Sequence, residues 1–430
     1  MKARLTLGAC AAVGLAILAG CGSSSSSSSG SVSGTNLTIY SSLPLQGANR
    51  PNSVATNQGS QLALAAMGGK VGKYTITFKP LDDSTAQAGK WDPGQTTSDA
   101  HTAVNDSTTI GYLGEFNSGA SAISIPILNR ADIPQISPSN TAVGLTSNAA
   151  GATPGEPQKY YPTGKRTYAR VVPKDTVQAA AQAALQKSEG CTKVYVLDDQ
   201  EVYGQGLATN FKLAAPSQGL TVVGLQGYDP KAANYRSLAQ SVAATGANCV
   251  FISAIVDNNA VQLTKDIAAA MPNAKIFGPD GVEVDTYFDP TKGGIPVALD
   301  PRVFMTVATL PPAEYPPAGQ AFFKSYQAKY GTPQAYAIYG YEAMALMLDA
   351  IKRATNNGTK SASRAAVIAA ILATKDRPSV LGTYSIDQNG DTTLTDYGAY
   401  GIKNGKDFFL KTIKPTTSST STGTGTTTTQ

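Results

Sequence analysis

Between Asn36 and Lys414, short β-rich runs alternate with helical segments, and the alternation runs through twice. In the first pass, Leu37 to Tyr40, Tyr74 to Leu81, Ile110 to Leu113 and Gln135 to Ser137 read as strands. Helices over Gln58 to Met67, Asp99 to Val104 and Ser118 to Ala131 separate them. The second pass has strands at Lys193 to Leu197, Leu220 to Leu225, Cys249 to Ile255 and Lys275 to Phe277. Its helices cover Val177 to Lys187, Gly206 to Ser217, Tyr235 to Ala244 and Val261 to Ala270. Strands alternating with helices of 10–15 residues imply βαβ units and a parallel sheet. Two such series, parted by the Gly/Pro-rich stretch from Gly151 to Gly164, imply two α/β lobes.

Later segments do not declare their lobe. Phe304 to Ala308 reads as a strand, and Phe322, Tyr326 and Tyr330 mark one helix face. Ala343, Leu346, Met347, Ala350 and Ile351 mark a longer helix. Gly382 to Ile386 and Asp396 to Ile402 read as strands joined through Asp387 to Asp391.

Composition narrows the chemistry. The 430 residues carry a formal charge of +5 with Lys and Arg scattered, which is no nucleic-acid footprint. His101 is the only histidine, so a Ser–His–Asp triad would have a single possible base, and no Gly-x-Ser-x-Gly elbow surrounds a serine. Zinc chemistry lacks ligands. Gly68 to Lys73 hints at a phosphate loop, but Met67 stands where its first glycine belongs. An exported hydrolase is thereby set aside; no enzyme, metal or cofactor is expected.

Both ends differ from the middle. Lys2 and Arg4 precede an uncharged run of 14 residues, Leu5 to Leu18, too short for a membrane span and suited to a signal peptide. The run closes on Leu18-Ala19-Gly20-Cys21, which resembles the lipobox of bacterial lipoproteins. That resemblance implies cleavage after residue 20 and lipidation of Cys21, and with them export to the extracytoplasmic face of the cell membrane; an ordinary secretory signal is the alternative. Residues 21–35, rich in Ser and Gly, read as a flexible tether. Residues 415–430, nearly all Thr, Ser and Gly, read as a disordered tail.

Several segments of the middle, in order, match one family. They are Gly114-Glu115-Phe116-Asn117-Ser118-Gly119, Ile133 through Thr141, Arg170-Val171-Val172-Pro173-Lys174-Asp175, Tyr203-Gly204-Gln205-Gly206, Phe277 through Gly281, and Tyr339 through Ala343. Over most of residues 36–405 the chain resembles the extracytoplasmic solute-binding proteins of ABC transporters for branched-chain amino acids. The resemblance implies a type I periplasmic binding protein of Venus-flytrap form: two Rossmann-like lobes with parallel sheets and a three-segment hinge. Lobe one would comprise 36–166 and 306–381, and lobe two 167–305 and 382–414. A monomer would bind an amino acid or amino-acid-like molecule between the lobes and deliver it to the membrane subunits of an ABC permease. A sensor of the same fold, signalling to a membrane receptor, is the alternative.

An amino acid offers a carboxylate, which needs donors, and an ammonium, which needs an acceptor. Ser118 stands at a predicted helix start, where free N–H groups favour an anion, although a plain N-cap fits the local sequence as well. The resemblance gives Ser118 and Thr141 the carboxylate, Ser139 backbone contacts near the ammonium, Asp280 the ammonium itself, and Tyr203 closure from lobe two. Pro279-Asp280-Gly281 is also ordinary turn sequence. Asp280 stands where hydrophobic amino-acid binders usually have Glu, no tyrosine stands at Ile255 or Val256, and the stretch from Asn148 to Arg166 is long for the family. Together these weaken any assignment to leucine, isoleucine or valine. Glu115 adds an acid that reads as facing solvent, with a cationic ligand as the other reading.

Cys191 and Cys249 each open a predicted strand of the second series. Neighbouring strands of a doubly wound sheet would bring them to one sheet end, and an exported compartment permits a disulfide. Two buried free thiols are the alternative.

Overall fold

The computed structural model describes residues 30–415, and apart from two short antiparallel pairs their strands fall on two sheets. The first contains β1 (Asn36–Leu43), β2 (Lys70–Val71), β3 (Tyr74–Asp82), β4 (Thr109–Gly114), β5 (Gln135–Ser137) and β6 (Tyr168–Arg170), in the order β2-β3-β1-β4-β5-β6. All its pairings are parallel except β2 against β3. The second contains β7 (Lys193–Asp198), β8 (Thr221–Gly227), β9 (Cys249–Ser253), β10 (Lys275–Gly278), β11 (Val303–Val307), β12 (Tyr397–Lys403) and β13 (Lys406–Ile413). Its order is β8-β7-β9-β10-β11-β12-β13, parallel as far as β11 and antiparallel for the last two strands. Leu37, Ile39, Ile110 and Leu113 in one sheet, and Val194, Val196, Phe251 and Ile252 in the other, are buried. Helices cover both faces of each sheet, so the central strands are buried almost from end to end, the polar residues of β1 and β5 included.

The helices are α1 (Arg50–Ala66), α2 (Pro93–Asn105), α3 (Ser118–Arg130), α4 (Asp175–Ser188), α5 (Val202–Ala214), α6 (Arg236–Ala243), α7 (Ala260–Ala270), α8 (Pro317–Tyr330), α9 (Ala337–Ala354) and α10 (Arg364–Leu372). Local chemistry sets several ends. Asp92 caps α2 by accepting from Gln95 N at 2.9 Å, with Pro93 in the first turn. Gly331, at φ 86°, stops α8. α1 lies tightly on α9: a Cβ at Gly59 would stand 2.0 Å from Ala337 O, and one at Gly340 2.0 Å from Thr56 O. The two glycines let the helix backbones touch, and Ser60 Oγ seals the contact by donating to Gly340 O at 2.9 Å.

Strand pairing shifts the expected lobe boundaries. β6 pairs with β5, so the first sheet runs past residue 166 to Arg170. The Gly/Pro-rich stretch that suggested the boundary lies inside the first lobe, where Tyr160 and Tyr161 pack against Ile125, Leu145 and Tyr168. β11 extends the second sheet through Val307, beyond the expected change at 306. Gly382–Tyr384 does not lead into the second sheet; it forms a hairpin with Arg377–Ser379, and Tyr384 Oη donates to Glu342 of α9 at 2.7 Å. The chain thus crosses between sheets near 171–174, 308–316 and 385–396. The tether also ends early. Val32 N donates to Ala362 O at 3.0 Å, Arg364 N to Gly30 O at 2.8 Å, and the Val32 side chain is buried. Cys21, the signal segment, residues 21–29 of the tether and residues 416–430 lie outside the described residues.

Arg170, wholly buried, fastens the first and third crossings together. Its Nε donates to Asp391 Oδ1 at 2.8 Å, and its NH1 donates to the carbonyls of Asn140 and Ala142. Lys174 Nζ reaches the other Asp391 oxygen at 2.9 Å. Burial works to raise the Asp391 pKa, but Arg170 and Lys174 hold it at about 2. In the second sheet, β7 and β9 are neighbours, and the sulfurs of Cys191 and Cys249 at their starts are joined at 1.99 Å.

Candidate functional site

β4 and β5 are parallel neighbours, so the loops leaving their C-terminal ends meet at the sheet edge, where open α/β sheets place ligands. Side chains stitch these loops together. Ser137 Oγ and Asn140 Nδ2 donate to Glu115 O at 2.9 and 3.1 Å, and Ser139 Oγ donates to Phe116 O at 2.8 Å. Ser118 Oγ accepts from Ala142 N at 3.4 Å. Ser118 is the first residue of α3, whose cap Asn117 makes no side-chain hydrogen bond to the helix. The first N–H groups of this helix are therefore available to an anion.

The second lobe faces this platform with Tyr203, in the first turn of α5, and Asp280, just beyond β10. Tyr203 Oη donates to Asp280 Oδ1 at 2.6 Å, and Tyr336 Oη, from just before α9, donates to Oδ2. Phe116 stands edge-on to Tyr336 with ring centres 5.0 Å apart. Phe116, Ser118 and Ser139 from one lobe and Tyr203, Ile255 and Asp280 from the other enclose a cavity of about 20 Å³. That space admits about one water molecule. A larger molecule fits there only with the lobes farther apart.

Four of the five candidate ligand residues thus share one cavity. Thr141 does not line it; the residue is fully buried beside α4, its carbonyl accepting from Asp175 N at 2.8 Å and its hydroxyl without a partner. Asp175 itself went unnoticed in the sequence except as part of the hinge-like stretch. It is wholly buried and neither carboxylate oxygen has a hydrogen-bond partner. Burial, with the Asp280 charge adding to it, pushes Asp175 up to about 7 against the pull of Arg170. Asp280 is likewise raised by burial, opposed by the hydroxyls of Tyr203 and Tyr336. Two acids that burial makes costly to ionise would both be relieved by one cation.

Glu115 faces neither solvent nor the cavity. It has no exposure, and its Oε1 accepts from Tyr112 Oη at 2.8 Å. Burial pushes it to about 8, and nearby Asp99 adds to the shift. Glu115 follows directly on β4, so it turns inward beside Tyr112 of that strand.

Polar contacts between the lobes close the rim. Lys90 Nζ and Trp91 Nε1 donate to the two oxygens of Glu201 at 2.5 and 3.0 Å. Asp257 Oδ1 accepts from Ala48 N and Asn49 N at 2.5 and 3.1 Å, just ahead of α1. These pairs are more than a hundred residues apart, and no local pattern announces them. Among the described residues, no group of His, Cys, Asp and Glu could hold a metal ion.

Residues 38–407 match the family model described as periplasmic binding protein. The Leu/Ile/Val-binding protein homolog 2 of Brucella abortus is 24% identical over 382 residues, covering 88% of this chain and 93% of that one. The structure is similar to that of a leucine binding protein from Thermotoga maritima, with a TM-score of 0.74 at 21% identity, covering 88% of this chain and 99% of the other. It is also similar to a solute binding protein of an ABC transporter from R. palustris in complex with benzoate, with a TM-score of 0.69 at 21% identity over 88% and 97% of the two chains.

Proposed function

The chain belongs to the periplasmic binding protein family, and on that premise we propose that it binds an amino acid or amino-acid-like molecule between its lobes and hands it to an ABC permease. The carrying observation is Asp280: a buried carboxylate at the lobe interface that accepts from the hydroxyls of Tyr203 and Tyr336. An α-ammonium group replaces one hydroxyl and pairs with the charge. The ligand carboxylate lies at the start of α3, where N–H groups and the Ser118 hydroxyl donate to it. The Asp175 carboxyl, raised to about 7 in part by the Asp280 charge, would ionise more readily once a cation is bound nearby, which favours amines over plain acids such as the benzoate carried by one structural relative.

Closure is a population shift driven by contacts made only when both lobes touch the ligand. Ser118 and Ser139 belong to one lobe, Tyr203 and Asp280 to the other, so the ligand itself links them. Family membership places the protein outside the cytoplasm. Among the described residues no helix is long and apolar enough to cross a membrane; the lipobox-like Leu18-Ala19-Gly20-Cys21 is what supports attachment through a lipidated Cys21. A ligand sensor of the same fold remains the second reading, favoured if the gene adjoins a sensor kinase instead of a permease.

The test is a thermal-shift screen of the mature chain against amino acids, amides, polyamines and aromatic acids. A ligand at a hundred times its Kd stabilises by about 2.7 kcal/mol. Stabilisation by a compound carrying both ammonium and carboxylate supports the reading; stabilisation by aromatic acids alone overturns it.

A further inference from the structure

The short turn that carries Asp280 runs on to Glu283, whose N–H donates to Asp280 O at 3.0 Å. Glu283 lines a different cavity, of about 810 Å³, which shares no residue with the ligand cleft. That volume suits a small organic molecule. Its walls come from both lobes: Phe323 from α8, Phe288 from the second lobe, Tyr400 and Phe409 from β12 and β13, and the second crossing at Val307–Pro312.

The charges in this cavity are unbalanced. Glu283, Asp285, Asp289 and Asp407 face two lysines, and Lys292 is already bound to Asp285. Glu283 is only 7% exposed. Its side chain makes no hydrogen bond or ion pair with any described residue, and its Oε2 is fully enclosed. Buried carboxyl groups ordinarily have partners, because an unpaired one costs several kcal/mol. Burial, with the neighbouring Asp407 charge adding to it, holds Glu283 well above the usual carboxylate range. A bound cation would relieve both effects, and the aromatic walls attract a cation over their faces.

We propose that this cavity binds an organic ammonium ion with an apolar body, its nitrogen on Glu283 and its body against Phe288, Phe323 and Tyr400. The site is separate from the ligand cleft and does not depend on how the cleft is read. Its walls span both lobes and its anchor lies three residues from Asp280. Its occupant therefore favours one lobe arrangement over another, and ligand in the cleft alters amine affinity reciprocally.

Calorimetric titration of the mature chain with benzylammonium chloride at pH 7 tests the site, with benzyl alcohol as the uncharged counterpart. The proposal expects one benzylammonium per chain in this cavity, at least tenfold weaker binding in Glu283→Gln, and a clearly smaller loss in Asp280→Asn, whose carboxylate acts on Glu283 from a distance. Asp407→Asn, which removes the neighbouring carboxylate, is the second variant and should bind several-fold more weakly than wild type. No binding to wild type overturns the proposal, as does equal affinity for benzyl alcohol. It falls too if Glu283→Gln and Asp407→Asn both bind like wild type. Loss in Asp280→Asn with retention in Glu283→Gln also overturns it, placing the amine in the cleft.

Discussion

Asp391→Asn isolates the knot that ties the first crossing to the third. The substitution keeps the shape and removes the charge, leaving the Arg170 guanidinium wholly buried with only neutral acceptors: the carbonyls of Asn140 and Ala142 and the hydroxyl of Thr146. Lys174 loses its partner as well but is partly exposed, so it contributes little. Leaving a buried ion uncompensated costs about 3–5 kcal/mol. An independent route gives a similar figure. Asp391 sits at about 2 in the folded protein, against about 3.9 in an unfolded chain, and that difference is about 2.6 kcal/mol of stability at neutral pH. A pKa held down on folding stabilises above the unfolded value, and the contribution is lost as pH falls through the folded one. Wild type should therefore lose this contribution between about pH 4 and pH 2. Urea unfolding at pH 7 should place Asp391→Asn about 3 kcal/mol below wild type. The gap should close toward pH 2, where protonation does to the wild type what the substitution does to the variant. A variant within about 0.5 kcal/mol of wild type at pH 7, or a gap unchanged at pH 2, would refute the reasoning, because surface changes already scatter by that amount.

Other outcomes follow from the same structure. Glu115 is raised to about 8 by burial; a raised folded pKa means stability held at acid pH and lost as pH climbs through about 8. Glu115→Gln should flatten the loss of melting temperature that accumulates from about pH 4.5 to about pH 8, and an unchanged profile over that window would remove Glu115 as its cause. Cys191→Ser with Cys249→Ser opens a loop of 58 residues and should cost up to about 4 kcal/mol in the chain-entropy account. Two titratable thiols in the unfolded, unreduced mature chain would show that the bond does not form. Cys21→Ser should abolish lipid labelling in vivo and leave unprocessed or released protein, whereas surviving labelling would dispose of the anchor.

Alternation of strand and helix was legible because parallel sheets bury whole strands, and the four runs of the first series and four of the second all became strands. Pairing was not. Gly382–Tyr384 has the composition of a strand, but only the spatial neighbour decides between the second sheet and a hairpin against Arg377–Ser379. Tyr168–Arg170 was lost to the second lobe because a Gly/Pro-rich stretch looked like a boundary and proved to be packed surface. At the site, Ser118, Ser139, Tyr203 and Asp280 were accessible through motif order. Tyr336, Asp175 and the Lys90–Glu201 rim were not, since each gains its meaning from a residue far away in sequence. Glu115 was misjudged because a lone acid after a strand gives no local sign of which way it turns.

Asp280 is the proposed anchor of the ligand's ammonium group. Calorimetric titration of the compound found by the thermal screen, against wild type, Asp280→Ala and Asp99→Ala, tests it most directly. Asp99 is bound to Ser42 and Gln95 away from the cleft, so its variant controls for a general loss of buried acid. Removing one partner of a buried charged pair costs about 3–5 kcal/mol, so Asp280→Ala should weaken binding by roughly a hundredfold or more, with Asp99→Ala close to wild type. Equal affinity in wild type and Asp280→Ala would contradict the account and move the ligand away from this cleft.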